Sequence, residues 1–406
     1  MRSGFLRSRG SFAWDFNLST KVVCGLQMSF YLWDMKKPIL YLVIGLCSIC
    51  VCTACFPIRS MFLGFPDVSD QYRFHRDTIQ QEGRPFHFAE VEDETWGERL
   101  RVNDWTTDLP VFKPIGQVLR EHETNAMVII RRDTILYEYY REGMHAGSLQ
   151  ASFSVAKSVT SALIGFAIQE GYIKGVDELI VDYIPELSKV DGAEYISIRH
   201  LLNQTSGIKY DFFLDSHLYY GNDIWKGIKR MKMERLPGTH QAYLNINIQL
   251  LGIIIKRATA QSPSEYLERH IWKPLGMESE AWWSTDKKGV PKTYCCMSAT
   301  ARDYARFGRL YLNRGKWNGE QLLEESWIEQ SLKRDTTQGS SHGYQYCWHL
   351  GLEESGDYMA KGMLKQRIYI HPEKEVIIVL FNGREGKVKR AFVKWDYILR
   401  QLADML

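Results

Sequence analysis

Beyond its first 55 residues, this 406-residue chain is short of cysteine, and the shortage excludes several kinds of site. The body holds only Cys295, Cys296 and Cys347, while Cys24, Cys47, Cys50, Cys52 and Cys55 crowd the front end. Three thiols, two of them adjacent, do not make a disulfide framework. No C-x-x-C pair occurs in the body, so a zinc ribbon finds no ligands. The 11 histidines include neither H-x-H-x-D nor H-E-x-x-H, which removes support for a metallohydrolase. No P-loop and no G-x-G-x-x-G strand–helix turn is present, so no cofactor and no metal are expected. An excess of one charge is also lacking. Six Lys/Arg and two Asp/Glu lie in residues 1–54, leaving 45 against 46 in the remainder, a net charge of −1. A neutral body without a basic block does not suit nucleic acid.

What is present is apolar substance and a distinctive front end. Apolar residues make up 45% of the chain, enough for one large domain or two intergrown ones. Ile39–Phe56 is an almost unbroken apolar run just after Lys36 and Lys37. The segment that begins at Met35 has a basic start, an apolar stretch and small residues before Cys55, the layout of a secretory signal. It also resembles a bacterial lipoprotein signal with Cys55 as the lipidated residue, although Cys52 stands where such signals usually carry Leu. An uncleaved membrane anchor of about 18 residues is the other reading of 35–56. Both place the body outside the cytoplasm, in a bacterial periplasm or on the outer surface, tied to a membrane. Residues 1–34 read as an upstream extension of the frame.

In the body, Ala126–Tyr140 reads as two strands around Arg131-Arg132-Asp133, and Gln366–Leu380 as two more around His371-Pro372-Glu373-Lys374. Val155–Glu170 has helical spacing and ends at Gly171, a plausible cap. Helical patterns separated by turns fill 180–290, and Lys389–Leu406 reads as an amphipathic helix. Strands at both ends with helices between them predict an α+β fold. The expected division is a sheet from about 57–150 and 290–406, with a helical subdomain at about 151–290.

Ser-x-x-Lys occurs three times, at Ser154–Lys157, Ser206–Lys209 and Ser284–Lys287. Side chains at i and i+3 share a helix face, and only Ser154 opens a long apolar helix. A helix N-terminus favours an oxyanion, and an apolar surrounding lowers a lysine pKa until the amine becomes a base. The other two pairs read as turns. Gly339-Ser340-Ser341-His342-Gly343 matches the nucleophile elbow, but a helical pattern precedes it and a strand follows, the reverse of what that elbow needs. Ser341 therefore reads as loop. Tyr-x-Asn also occurs three times. Of these, Tyr243–Asn245 leads into an apolar helical run, where Tyr243 can relay a proton and Asn245 can hold a substrate carbonyl.

SVAK, LLNQTSGI (Leu201–Ile208), YLN with QLLG, PLGM (Pro274–Met277) and SATARDYARFGRLYL (Ser298–Leu312) follow in this order. Over roughly residues 65–400 the chain resembles the serine β-lactamase and penicillin-binding-protein superfamily, and within it class C-like esterases and 6-aminohexanoate-dimer hydrolases. The resemblance implies a β-lactamase/transpeptidase-like fold: a mostly antiparallel sheet flanked by helices, with a cleft against a helical subdomain. It makes Ser154 the acyl-enzyme nucleophile and Lys157 with Tyr243 the proton-transfer pair. It places the relaxed third motif at Ala360–Gln366, with Lys365 in place of a second Gly. The backbone N–H groups of Ser154 and Met363 then form the oxyanion hole, and Gly362 lets the strand approach substrate. Without the lysine of a Lys-Thr-Gly motif, the docking point for a β-lactam carboxylate is missing. Lys361 or Lys365 could substitute, though strand alternation cannot aim both inward. Residues 210–226 follow LLNQTSGI as a cleft-border loop, with Tyr210, Phe213 and Tyr220 as an aromatic wall. The expected function is an exported serine hydrolase acting on a small ester, amide or peptide. The alternative is a catalytically weak module that recognises cell-wall peptides.

Overall fold

A computed structural model describes residues 65–406, apart from 92, 94, 105–108 and 384–392. Residues 1–34, the 35–56 segment and Cys55 lie outside the described residues. The main sheet runs through β1 (Thr124–Arg131), β2 (Thr134–Tyr140), β3 (Trp348–Leu350), β4 (Tyr358–Gly362), β5 (Gln366–His371) and β6 (Val376–Asn382). Its spatial order is β3-β4-β5-β6-β1-β2, with Tyr344–Gln345 beside β3 and Ala89–Glu90 beside β2. All pairings are antiparallel except that of Ala89–Glu90 with β2. The β1–β2 turn puts Arg132 and Asp133 at φ 50° and 58°. Two successive positive φ values are the mark of a tight hairpin that matches strand twist.

Both faces of this sheet are covered, so β1 and β6 are buried along nearly their whole length. Met127, Ile129, Ile378 and Leu380 pack on one side with Ile398, Leu399 and Leu402. Those last three lie on the closing helix Trp395–Met405. On the other side lies the helix Ala301–Leu312. A Cβ on its Gly308 would come 3.1 Å from both Ile368 and Ile377, so the missing side chain sets how closely helix and sheet approach. Each fully buried Ile or Leu contributes about 1.5–3 kcal/mol of transfer free energy.

The helix Ala156–Gln169, here α1, is buried on almost every side, as expected of a helix apolar all round. It packs against α2 (Asn245–Thr259). Its cap is as read from sequence: Gly171 has φ +77° and donates its N–H to the Ile168 carbonyl. The closing helix spans Trp395–Met405, shorter than the predicted Lys389–Leu406, part of which lies outside the described residues.

A second sheet pairs His75–Ile79, Ala281–Thr285, Met297–Ala299 and Gln150–Ala151 in that order. Ala281–Thr285 falls within the stretch expected to be helical. Its aromatic and hydroxyl side chains suit a strand enclosed by two neighbours, where burial rather than helical period decides. Gln150–Ala151, at the edge of this sheet, leads directly into Ser154.

Candidate active site

Three elements converge beside Ser154. Ser152 donates its N–H to the Met297 carbonyl, which ties the incoming chain to the second sheet. Phe153 then adopts φ +45°, a left-handed conformation that a residue with a Cβ holds only where its surroundings impose it. One 3-10 turn, Phe153–Val155, opens into α1, and Lys157 follows on the same face. The Lys157 Nζ donates to Ser154 Oγ at 2.8 Å, to Asn245 Oδ1 at 2.9 Å and to the Tyr294 carbonyl at 2.8 Å. Lys157 is only 1% exposed. Loss of hydration lowers its pKa to about 7, against an opposing pull from Cys347 and the Asp215 carboxylate.

Tyr243 and Asn245 reach this point through Gln204, a buried residue of the LLNQTSGI block. Gln204 Oε1 accepts from the Leu244 N–H at 2.9 Å and from Asn247 Nδ2 at 2.6 Å. Its own carbonyl accepts from the Ala242 N–H. The block thus works as a brace for the Tyr-x-Asn segment. The Tyr243 ring lies with its centroid 4.8 Å from Lys157 Nζ. The residue as a whole is 45% exposed, but its hydroxyl end is enclosed. Burial raises the phenol well above its usual pKa, and a hydrogen bond with Ser154 opposes the rise. Asn245 links two charges: its Oδ1 accepts from Lys157 and its Nδ2 donates to Asp215 Oδ1 at 2.8 Å. Burial raises the Asp215 carboxyl, while Asn245 and Lys157 act to lower it.

On the opposite wall, β4 ends at Gly362 and Met363 follows into the cleft. A Cβ on Gly362 would stand 2.3 Å from the Ser152 carbonyl. The glycine therefore permits close approach to the turn that carries Ser154. Lys365, which stands where the resemblance places a second glycine, has φ +65°, a left-handed value that favours glycine. Gln366 is fully buried; its Nε2 donates to the Asn382 carbonyl and its Oε1 accepts from the Asn382 N–H, fastening β5 to β6. Lys361 does not replace the missing lysine, because it is paired with Asp396 at 2.7 Å. Asp396 also holds Arg367; although burial works against it, these two cations keep its carboxyl down at about 2.

The cleft between these walls encloses about 520 Å³, within the range of small-molecule sites. Of the predicted aromatic wall, Tyr220 lines it, whereas Tyr210 and Phe213 are not among its lining residues and are exposed. The reason is local structure. The expected loop contains a helix, Phe212–Tyr220, whose N-cap Asp211 accepts from the N–H groups of Phe213 and Leu214. Helical spacing then turns Phe212, Asp215, Ser216 and Tyr219 to the cleft. Asp211 before an apolar run was the available signal. Tyr294 and Cys295 also line the cleft and were missed. The Tyr294 hydroxyl is buried without a hydrogen-bond partner among the described residues. Cys295 and Cys296 are bonded to each other, a local ring rather than a framework. Cys347 stays a free, buried thiol, pushed up to about 12 by burial. His349 packs near Tyr243, with 6.4 Å between ring centroids. Burial and the nearby Lys361 and Arg367 hold its imidazole down at about 3, so it is neutral. A lone histidine gave no sequence signal.

The rival serines lie elsewhere. Ser206 is buried and accepts from the Ile208 N–H, with Lys209 exposed. Ser284 is buried in a strand, with Lys287 exposed. Ser341 sits in the loop between the helix Glu325–Leu332 and the strand Tyr344–Gln345. Among the described residues no cluster of His, Cys, Asp or Glu could hold a metal ion.

Comparison with known proteins gives the family and the fold. The family model "Beta-lactamase" matches residues 117–403. The chain belongs to the beta-lactamase family. It is a serine hydrolase of that family with a β-lactamase/transpeptidase-like α+β fold. The 6-aminohexanoate-dimer hydrolase of Paenarthrobacter ureafaciens is 25% identical over 312 residues, covering 70% of this chain and 78% of the relative. A solved structure from Bacillus anthracis, provisionally assigned as a 6-aminohexanoate-dimer hydrolase, superposes with TM-score 0.73 at 23% identity, covering 82% of this chain and 91% of that one. An octameric penicillin-binding protein homologue from Pyrococcus abyssi gives TM-score 0.53 at 18% identity, over 70% of this chain and 75% of that one. These two structures share the fold.

Proposed function

We propose that this family member cleaves a small ester or amide through an acyl-enzyme on Ser154. The observation that carries the reading is the 2.8 Å contact between the buried Lys157 amine and Ser154 Oγ. With a pKa of about 7, Lys157 is largely neutral in mildly alkaline solution and can take the serine proton as Oγ attacks the substrate carbonyl. Tyr243 stays protonated, because burial holds its phenol high. It therefore serves as the donor to the leaving group and recovers its proton from Lys157. The oxyanion is held by the N–H groups of Ser154 and Met363, both at the cleft. Water then attacks the acyl-enzyme, returning the proton to Ser154 and releasing the acid.

The cleft supports a substrate that carries no anion. Asp215 is the charged side chain among the described lining residues, and Lys361 is occupied by Asp396. A carboxylate, as in a β-lactam or a cell-wall peptide terminus, would meet repulsion from Asp215. A substrate amine would be drawn to it. The same charge pattern disfavours the binding-module alternative. Export and attachment to a membrane through 35–56 or Cys55 belong to this proposal, on the strength of the signal-like segment alone.

The test is hydrolysis of an uncharged nitrophenyl ester by the wild type and by Ser154→Ala. Turnover lost in the variant, with a fluorophosphonate probe labelling Ser154 of the wild type, is the expected result. Equal rates, or a label on Ser341, would overturn the reading.

A further inference from the structure

The segment 291–296 threads between the two central helices and delivers one carbonyl to Lys157. Up to Thr293 it is clamped by side chains from both. Gln249 Nε2 donates to the Pro291 carbonyl at 3.0 Å. Thr160 Oγ1 donates to the Thr293 carbonyl at 2.8 Å, and Thr293 Oγ1 donates to the Ile248 carbonyl at 2.9 Å. Tyr294 follows, and its carbonyl accepts from Lys157 Nζ at 2.8 Å. That carbonyl shares its peptide plane with the next N–H, which donates to the Lys292 carbonyl at 2.9 Å, and its direction also depends on the two residues that follow. Those are Cys295 and Cys296, joined by a disulfide across a single peptide bond.

Two side chains joined in this way close a small ring with the backbone and leave both residues few conformations. Cys296 has φ +66°, a left-handed value that is unfavourable for a residue with a Cβ. The turn is read by its neighbours. Trp283 Nε1 donates to the Cys295 carbonyl at 2.8 Å, and the Ser284 N–H donates to the Cys296 carbonyl at 3.0 Å. With two free thiols the ring is gone, and Cys296 can return to an ordinary conformation at the expense of those bonds. The Tyr294 carbonyl, two residues before Cys296, is then less firmly directed, and Lys157 loses one of its three acceptors. Cys295 lines the cleft, so a small thiol reaches the bond by the substrate's own route.

We propose that the Cys295–Cys296 disulfide positions the lysine that activates Ser154, and that its reduction by a dithiol lowers the rate of acylation. This rests on the reading of Lys157 as the base for Ser154. In the reduction, a thiolate of the dithiol attacks Cys295 Sγ, the S–S bond breaks and the Cys296 thiolate takes a proton. The second thiol of the reductant attacks the mixed disulfide, releases Cys295 as a thiol and leaves the reductant as its own cyclic disulfide. Two electrons and two protons pass to the protein. An oxidising compartment, as the signal-like front end suggests, keeps the bond closed.

The experiment uses the full chain. Thiols are counted by alkylation and mass spectrometry before and after dithiothreitol, and both states are assayed for ester kcat, KM and fluorophosphonate labelling of Ser154. The expected result is a fall in kcat and labelling rate of at least about tenfold on reduction, since a misplacement near 1 Å costs up to about a hundredfold. KM and the circular dichroism spectrum change little, and reoxidation restores the rate. Cys295→Ser/Cys296→Ser shows the low rate and no response to dithiothreitol. Equal rates in both redox states would overturn the proposal, as would two alkylatable thiols at 295 and 296 in the oxidised protein. A loss on reduction that the double variant shares traces to other cysteines and has the same consequence. If Ser154 is labelled in neither state, the nucleophile assignment itself falls and this inference with it, a result distinct from equal, rapid labelling.

Discussion

Replacing Asp215 with Asn removes a negative charge two hydrogen bonds from the Lys157 amine while leaving a side chain of the same shape. Asn245 spans the gap, with 2.8 Å on the Asp215 side and 2.9 Å on the Lys157 side. Adding the width of an amide puts carboxylate and amine roughly 7 Å apart, where Coulomb's law gives about 0.6 kcal/mol in water and about 2.4 kcal/mol at an effective dielectric of 20. At about 1.4 kcal/mol per pKa unit, that is a shift between about 0.4 and 1.7 units. The sign follows from the charges: a carboxylate favours the ammonium form, so its loss lets Lys157 shed its proton at lower pH. The neutral amine is the active form. In the wild type, with a Lys157 pKa of about 7, kcat/KM for an uncharged ester falls as pH drops through 7, to about a tenth of its plateau at pH 6. In Asp215→Asn the acid limb moves down by about half a unit to one and a half. The assay is a pH profile of kcat/KM with a neutral nitrophenyl ester, which reports groups of the free enzyme. A limb that stays in place, or moves upward, would refute the electrostatic link between these residues.

Gly362→Ala forces a Cβ to within 2.3 Å of the Ser152 carbonyl; nitrophenyl-ester turnover should fall about a hundredfold as the Ser154 turn is displaced. Gln204→Ala leaves the Leu244 N–H and Asn247 Nδ2 without their buried acceptor. It should cost about 1–3 kcal/mol per group in urea denaturation and lower kcat with it, because Tyr243 is no longer braced. Lys361→Met breaks a partly exposed ion pair while Asp396 keeps Arg367. Stability should change by less than about 1 kcal/mol, and KM for a substrate bearing a carboxylate should be unaltered. A marked rise in that KM would show that Lys361 docks anions after all.

Features that depend on neighbours along the chain were legible before any packing was known. The i, i+3 spacing of Ser154 and Lys157 on an apolar helix determined that the two side chains would share a face, because helix geometry is local. The two hairpins at 126–140 and 366–380 were legible for the same reason, as alternation around polar turns. The remaining features arise where segments far apart in the chain meet. The third acceptor of Lys157 is a carbonyl 137 residues away. Lys361 carries a suggestive charge, but Asp396 from the closing helix claims it. The cleft-lining face of Phe212–Tyr220 was hidden because a short helix among aromatics has no clear period until something packs on it. Adjacent cysteines at 295 and 296 said nothing of their bond, because pairing depends on backbone direction, which is set by the strands and helices that enclose the turn.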